Sequence, residues 1–343
     1  MKQTVVTLFL ALGAILVVVS LYFIFVPVYE PYHVSEDGEG YEIVYATPVD
    51  SADECTQYEQ FDAERSECFF MCETEVECES IMKKVDAELD QLADDYEQFS
   101  QDFKEFEGDS DILEENAEAS YTILPGEEFV LVKGEETEMG KRVVSWLKII
   151  SPDDFSDQHL SRLVLYAQND DTGAYVEPDP SGEKWNMYVN MNTFADGEKE
   201  MVFTLLHEFA HILTLNFEQM NREADEETCE TYFVQEGCLH RDSYLFSFFE
   251  RFWKQYDLGS SQFDLEGSNV YDEHPKDFVN DYAATNPGED IAESFASFVL
   301  RTNSEGGTVG EKQEFFGEYT ELVFLRDNIR SRLTTFVRAR MSL

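Results

Sequence analysis

His207, Glu208 and His211 lie within residues 201–216, M-V-F-T-L-L-H-E-F-A-H-I-L-T-L-N, a stretch that is otherwise almost wholly apolar. Such a helix is expected to be buried, and burying two imidazoles and a carboxylate without partners costs about 1–3 kcal/mol per unsatisfied group, more for the charge. Something must satisfy them. The i, i+4 spacing sets His207 and His211 one above the other on one helix face, so both can reach a single ion. Zn²⁺ takes imidazole nitrogens at about 2.0–2.1 Å. Glu208 follows about 100° further round the helix. That offset keeps it out of the ligand set but within reach of a metal-bound water, where a general base belongs. The plainer alternative is a structural pair of core histidines.

A catalytic zinc site needs a third protein ligand and an open position. A third histidine in the metzincin arrangement is excluded, because Thr214 and Phe217 stand where that pattern requires Gly and His. His240 and His274 sit in polar, loop-like surroundings. The better candidate is residues 281–300, D-Y-A-A-T-N-P-G-E-D-I-A-E-S-F-A-S-F-V-L. Asn286-Pro287 marks a helix start, and Glu289 and Asp290 suit the positive end of its dipole. Glu289 and Glu293 then share a face, with Ile291, Phe295, Phe298 and Val299 supplying apolar packing. One carboxylate can bind the metal while the other accepts a hydrogen bond from a ligating histidine.

HEFAH together with Y-x-x-T-N-x-x-E-x-x-A-E-x-F resembles the zinc metallopeptidases of the gluzincin type, most closely the catalytic domain of anthrax-toxin lethal factor and its bacterial relatives. The resemblance implies an α+β, zincin-like domain: a twisted sheet leading into the active-site helix, and a helical C-terminal lobe. It implies His207 and His211 as zinc ligands, Glu208 as general base and Glu289 as third ligand. Glu293 would stand behind a ligating histidine, and Tyr282 would steady the oxyanion or protonate the leaving amine. The match covers roughly residues 202–213 and 282–295. The interval from His211 to Glu289 is longer than the family usually has, which leaves room for an inserted segment around 221–270. It also keeps Glu230, near the spacing of thermolysin-like gluzincins, and Glu293 as competing ligands.

The elements that must carry this site begin far upstream. Residues 3–29 are uncharged and strongly apolar from Val5 through Val28, long enough to span a bilayer core of about 30 Å. A cleaved signal peptide has a shorter apolar region and a small-x-small site, which is missing after Val19. Residues 1–30 are therefore expected to be an uncleaved anchor. Lys2 before the run and Glu30, Glu36, Asp37 and Glu39 after it put the N-terminus in the cytoplasm and the remainder outside. Cysteine usage agrees: Cys55, Cys68, Cys72 and Cys78, then Cys229 and Cys238, form two even groups that read as disulfides in an oxidising compartment. Cys68 and Cys72 are spaced to share a helix face and so to bond outward. Residues 31–118 read as an acidic stalk bearing the first group, with 36–54 its one segment open to disorder outside the linkers.

Within the stalk, Met82, Val85, Leu89, Leu92, Tyr96, Phe99, Phe103 and Phe106 form a helical seam over 82–106. Its flanks, Asp86, Glu88, Asp95, Asp102 and Glu107, are acidic and would repel in a parallel pair, so docking onto the chain's own peptidase domain is expected. Residues 108–118 read as a linker. The peptidase domain then occupies 119–343, with strands at 128–133, 162–168, 173–177 and 185–191 and a helix at 140–150. Residues 185–191 are the candidate edge strand for β-addition of substrate. Residues 221–240 read as a stapled surface insertion, 242–256 as an aromatic-rich core helix, and 311–340 as one long helix whose arginine-rich end is solvated or ion-paired.

A formal charge of −48 disfavours nucleic acid and anionic membrane surfaces as partners. With 43% apolar residues and 28 Phe, a sizeable core is available. The expected function is a membrane-anchored, extracytoplasmic zinc metallopeptidase acting on a peptide or protein substrate. The alternatives are a catalytically inactive zincin-fold surface binding module and an acidic, disulfide-stapled adhesion protein.

Overall fold

The computed structural model describes residues 32–34, 41–48, 59–63, 67–72, 74–100, 110–126, 128–151, 155–168, 172–193, 198–265 and 270–338, which build an α+β architecture. Four strands come first: β1 (Tyr32–Val34), β2 (Tyr41–Pro48), β3 (Glu59–Asp62) and β4 (Glu67–Cys72), paired antiparallel in the order β1-β2-β4-β3. Thus part of the segment read as open to disorder is the strand β2. Cys68 and Cys72 lie on β4 rather than on a helix; pairing with two neighbouring strands outweighs their i, i+4 spacing. Cys72 is bonded to Cys78, whereas Cys55 and the side chain of Cys68 lie outside the described residues.

Helix α1 (Glu75–Ser100) carries the predicted seam as far as Phe99; Phe103 and Phe106 lie outside the described residues. Val85, Leu89, Leu92 and Tyr96 are buried. They belong to the same hydrophobic core as the two helices that bear the candidate metal ligands. Residues 108–118 are not simply a linker. They include the short helix α2 (Ser110–Glu115), where Leu113 is buried and Glu114 pairs with Arg162.

A mixed five-stranded sheet follows, in the order β6-β5-β7-β9-β8. Its strands are β5 (Ala119–Leu124), β6 (Glu128–Gly134), β7 (Leu160–Tyr166), β8 (Ala174–Pro178) and β9 (Trp185–Asn190). Only β7 and β9 run parallel. The expected edge strand at 185–191 is corrected: β9 is internal, with every residue buried, and β8 forms the edge. Residues that pack on both faces make a strand central, and W-N-M-Y-V-N offers no exposed alternate positions. Helix α3 (Glu138–Ile150) is amphipathic, begins with a Thr137 cap and buries Val143, Trp146, Leu147 and Ile150.

Helix α4 (Phe155–His159) leads into β7, and α5 (Glu198–Leu215) follows the last strand of the sheet. A three-stranded sheet, β10 (Met220–Asn221), β11 (Phe233–Val234) and β12 (Gly237–Leu239), is stapled by Cys229–Cys238. Tyr244–Phe248 opens a helical run that widens over Phe249–Trp253 and tightens over Lys254–Tyr256, burying Leu245, Phe248, Phe249, Phe252 and Trp253. The aromatic segment therefore packs in the core, as its composition suggests.

Three helices close the chain: α6 (Pro287–Leu300), α7 (Gly307–Gly317) and α8 (Thr320–Arg338). The expected single helix at 311–340 is in fact two, broken around Glu318 and Tyr319. Arg330 is ion-paired with Asp86, as that reading allows, and two of the arginines also cap α6. Arg326 donates to the carbonyls of Phe298 and Arg301, and the buried Arg330 donates to those of Val299 and Leu300. These are carbonyls at the end of α6, which would otherwise lack helical partners. Among the described residues no helix is long and apolar enough to cross a membrane. The run 3–29, where the anchor is expected, lies outside them.

Candidate metal centre

Helix α5 places His207, Glu208 and His211 in the core because almost everything around them is apolar. Its hydroxyls are satisfied internally, Thr204 on Glu200 O and Thr214 on Ala210 O. Asn216 closes the helix by donating its side-chain amide to Ile212 O and Leu213 O. Helix α6 starts where cap chemistry predicts: Asn286 Oδ1 accepts from the backbone N–H groups of Gly288 and Glu289, and Pro287 occupies the first turn. With Arg326 and Arg330 on its far end, α6 is held at both termini, and Glu289 and Glu293 are carried on a fixed rod.

The two helices bring three ligand atoms together. His207 Nε2 and His211 Nε2 are 2.9 Å apart, and Glu289 Oε2 lies 3.2 Å from the first and 3.3 Å from the second. An ion bound tetrahedrally at about 2.0–2.1 Å separates its ligands by about 3.3–3.4 Å. The observed triangle is close to one face of such a tetrahedron. Glu289 Oε2 is buried without a well-formed hydrogen bond, and the two imidazole nitrogens face each other 2.9 Å apart. The donor set of two nitrogens and one oxygen therefore fits a cation, and this buried group could hold a metal ion.

Charge follows geometry. Burial alone would lower the His207 pKa, but hydrogen bonds to Glu289 and Glu293 and their negative charge raise it to about 10. His211 moves the same way, the Glu289 charge overriding burial. Burial pushes Glu289 up, yet the adjacent imidazoles hold it far below the ordinary carboxylate range. Glu208 is different: burial raises it, and the attraction of His207 and His211 only partly offsets that. A carboxyl poised upward in this way suits a group that takes up a proton and gives it back.

Glu293 is not in the ligand triangle. It stands behind His207, with Oε1 2.9 Å from Nδ1, fully buried. Glu230 is corrected as a ligand candidate: its side chain is 82% exposed and pairs with Arg241 at 2.9 Å. Among other histidines, His240 contacts Glu218 O and His274 lies by Asp277, both away from the triangle. The Tyr282 ring sits 5.8 Å from that of His207.

A cleft of about 440 Å³ opens over these groups, lined by Glu208, His211, Tyr282 and Glu289 together with β8, Trp185 and the β11–β12 turn. The stapled segment is thus more than a surface insertion, since Val234, Gln235 and Glu236 reach the cleft. The turn is tight. Gly237 has φ 147°, and a Cβ there would meet Asn221 O at 2.5 Å, so only glycine allows this approach. Sequence reading missed Glu236, and it also missed Tyr96 and Asn280, which bond Glu293. No spacing marks them, because their partners are distant along the chain. No family model, curated protein or solved structure matches the chain.

Proposed function

We propose that the protein is a zinc-dependent peptidase of the gluzincin type, acting outside the cytoplasm and anchored through residues 3–29. The observation that carries this reading is the convergence of His207 Nε2, His211 Nε2 and Glu289 Oε2 within 2.9–3.3 Å of one another beside the buried Glu208. His207, His211 and Glu289 would hold the ion. Bound zinc supplies a Lewis acid that polarises the scissile carbonyl and acidifies water. Glu208 takes the proton of the attacking water and returns it to the leaving amine. Tyr282, which lines the cleft, would donate its hydroxyl to the developing oxyanion.

Two features favour a peptide over a small molecule. The outer edge of β8 has no strand partner among the described residues, so an extended chain can add to it with backbone hydrogen bonds. The cleft is also open and mostly polar rather than a closed apolar pocket. It carries Glu177 and Glu236 with no lysine or arginine among the described lining residues, which favours basic over acidic peptides.

The test uses the purified full-length chain and its Glu208→Gln and Glu289→Ala variants, assayed for zinc content and for hydrolysis of a fluorogenic peptide library. Wild type should hold about one zinc and cleave. Glu208→Gln should keep the zinc and lose about 10²–10⁴-fold in rate, and Glu289→Ala should lose the zinc. Stoichiometric zinc without cleavage in wild type would favour the binding module; no stoichiometric zinc would leave the adhesion reading.

A further inference from the structure

The Glu293 carboxylate is surrounded by donors from three separate parts of the chain. Oε1 receives the Tyr96 hydroxyl at 2.8 Å as well as facing His207 Nδ1, and Oε2 receives Asn280 Nδ2 at 2.7 Å. Asn280 Nδ2 also bonds Ser100 Oγ at 2.7 Å, while Asn280 Oδ1 accepts the backbone N–H of Ala283. That backbone donor fixes which end of the amide faces Glu293. Tyr96 and Ser100 both belong to α1, one turn apart on the same face. The Tyr96 ring further packs edge-on against Phe203 of α5, centroids 5.3 Å apart. Helix α1 therefore touches both helices that bear ligands.

A buried glutamate carboxylate on three rotatable bonds points where its donors hold it. If Glu293 accepts the Nδ1 proton of His207, the imidazole is locked in the tautomer whose Nε2 lone pair faces the ion site. If Glu293 swings away, that tautomer and ring angle are no longer imposed. Resting on the zinc reading above, we propose that α1 is part of the metal centre: Tyr96 directly, and Ser100 through Asn280, are positioning residues that aim Glu293 at His207. The plain alternative is that Tyr96 is a core aromatic whose hydroxyl happens to find an acceptor.

Cobalt(II) is the probe, because its visible spectrum reports ligand geometry apart from any hydrolysis. Its affinity and spectrum are measured by chelator competition for full-length wild type, Tyr96→Phe, Glu293→Gln and the double variant, with far-UV circular dichroism checking that each is folded. Tyr96→Phe removes one oxygen and should weaken cobalt binding about tenfold, the low end for a group behind a ligand, and alter the visible bands. In the Glu293→Gln background the same change should have little further effect, since the two act through one carboxylate. Should Tyr96→Phe not fold, Ser100→Ala reads the other arm of the same device, through Asn280, and should weaken binding in the same direction. Unchanged cobalt affinity and spectrum in Tyr96→Phe, or a full tenfold additional loss in the double variant, would overturn the positioning role while leaving the zinc reading intact. A wild type that takes up no cobalt would overturn both.

Discussion

Replacing Lys312 with methionine removes the cation from an ion pair whose two side chains are fully buried, Lys312 Nζ lying 2.6 Å from Asp290 Oδ2. Trp253 Nε1 donates to the same oxygen, Ser294 Oγ reaches the other, and Lys312 also donates to Asp277 O. Its ammonium lies 4.0 Å from the centroid of the Phe278 ring. Methionine nearly conserves the volume, so the expected loss is that of an orphaned buried charge, about 3–5 kcal/mol. For a chain this long that corresponds to a melting temperature lower by about 4–7 °C. The sign with pH is set by which charge is left. Burial already raises the Asp290 pKa, and Lys312 opposes the rise; without Lys312 it rises further above its unfolded value. The destabilisation of Lys312→Met should therefore grow with pH, by about 1.4 kcal/mol per unit, until Asp290 ionises. Asp290→Asn leaves the lysine instead, whose pKa burial lowers. Its destabilisation should grow as pH falls from the unfolded lysine range. Urea titrations at pH 5.5 and 8.5 would thus move the two variants in opposite directions. A loss below about 1 kcal/mol for Lys312→Met, or the same pH trend in both variants, would refute this account of how the first turn of α6, and Glu289 with it, is held.

Two other perturbations probe the surroundings of the site. His159 is buried against Phe155 and Phe217, Nδ1 lacks a hydrogen bond, and burial lowers its pKa. Its folded pKa lies below the unfolded one, so its contribution is complete above about pH 6.5 and is lost as pH falls through the folded value. His159→Phe should flatten the decline of the urea midpoint between pH 7 and 5; an unchanged slope would show that this histidine does not drive it. Replacing Cys229 and Cys238 together with alanine opens a loop of nine residues' separation and should cost about 2.5–3 kcal/mol in urea titration. A negligible loss would mean that the β11–β12 turn over the cleft is held by its other contacts.

The parts of this protein readable from sequence alone are those whose physics is local. A polar triplet at i, i+1 and i+4 in an apolar helix, an Asn-Pro start with two acids behind it, and a three-four ladder of apolar residues each state a helix and the face it presents. They name His207, Glu208 and His211, the frame of α6 and the buried seam of α1. What lies between these elements was decided only by the tertiary structure. Glu289 rather than Glu230 meets the histidines because α6 crosses α5, while Glu230 ends up against Arg241 in solvent. The sheet edge is β8 rather than β9, since an edge is defined by the neighbour a strand lacks, and neither strand encodes that by itself. Cys68 joined a strand because inter-strand pairing overrode local spacing. The seam also predicts that Tyr96 is buried, but its hydroxyl meets a carboxylate 197 residues along the chain. Hydrophobic period is written into each segment, whereas the partner of a buried polar atom depends on which segments the whole fold brings together.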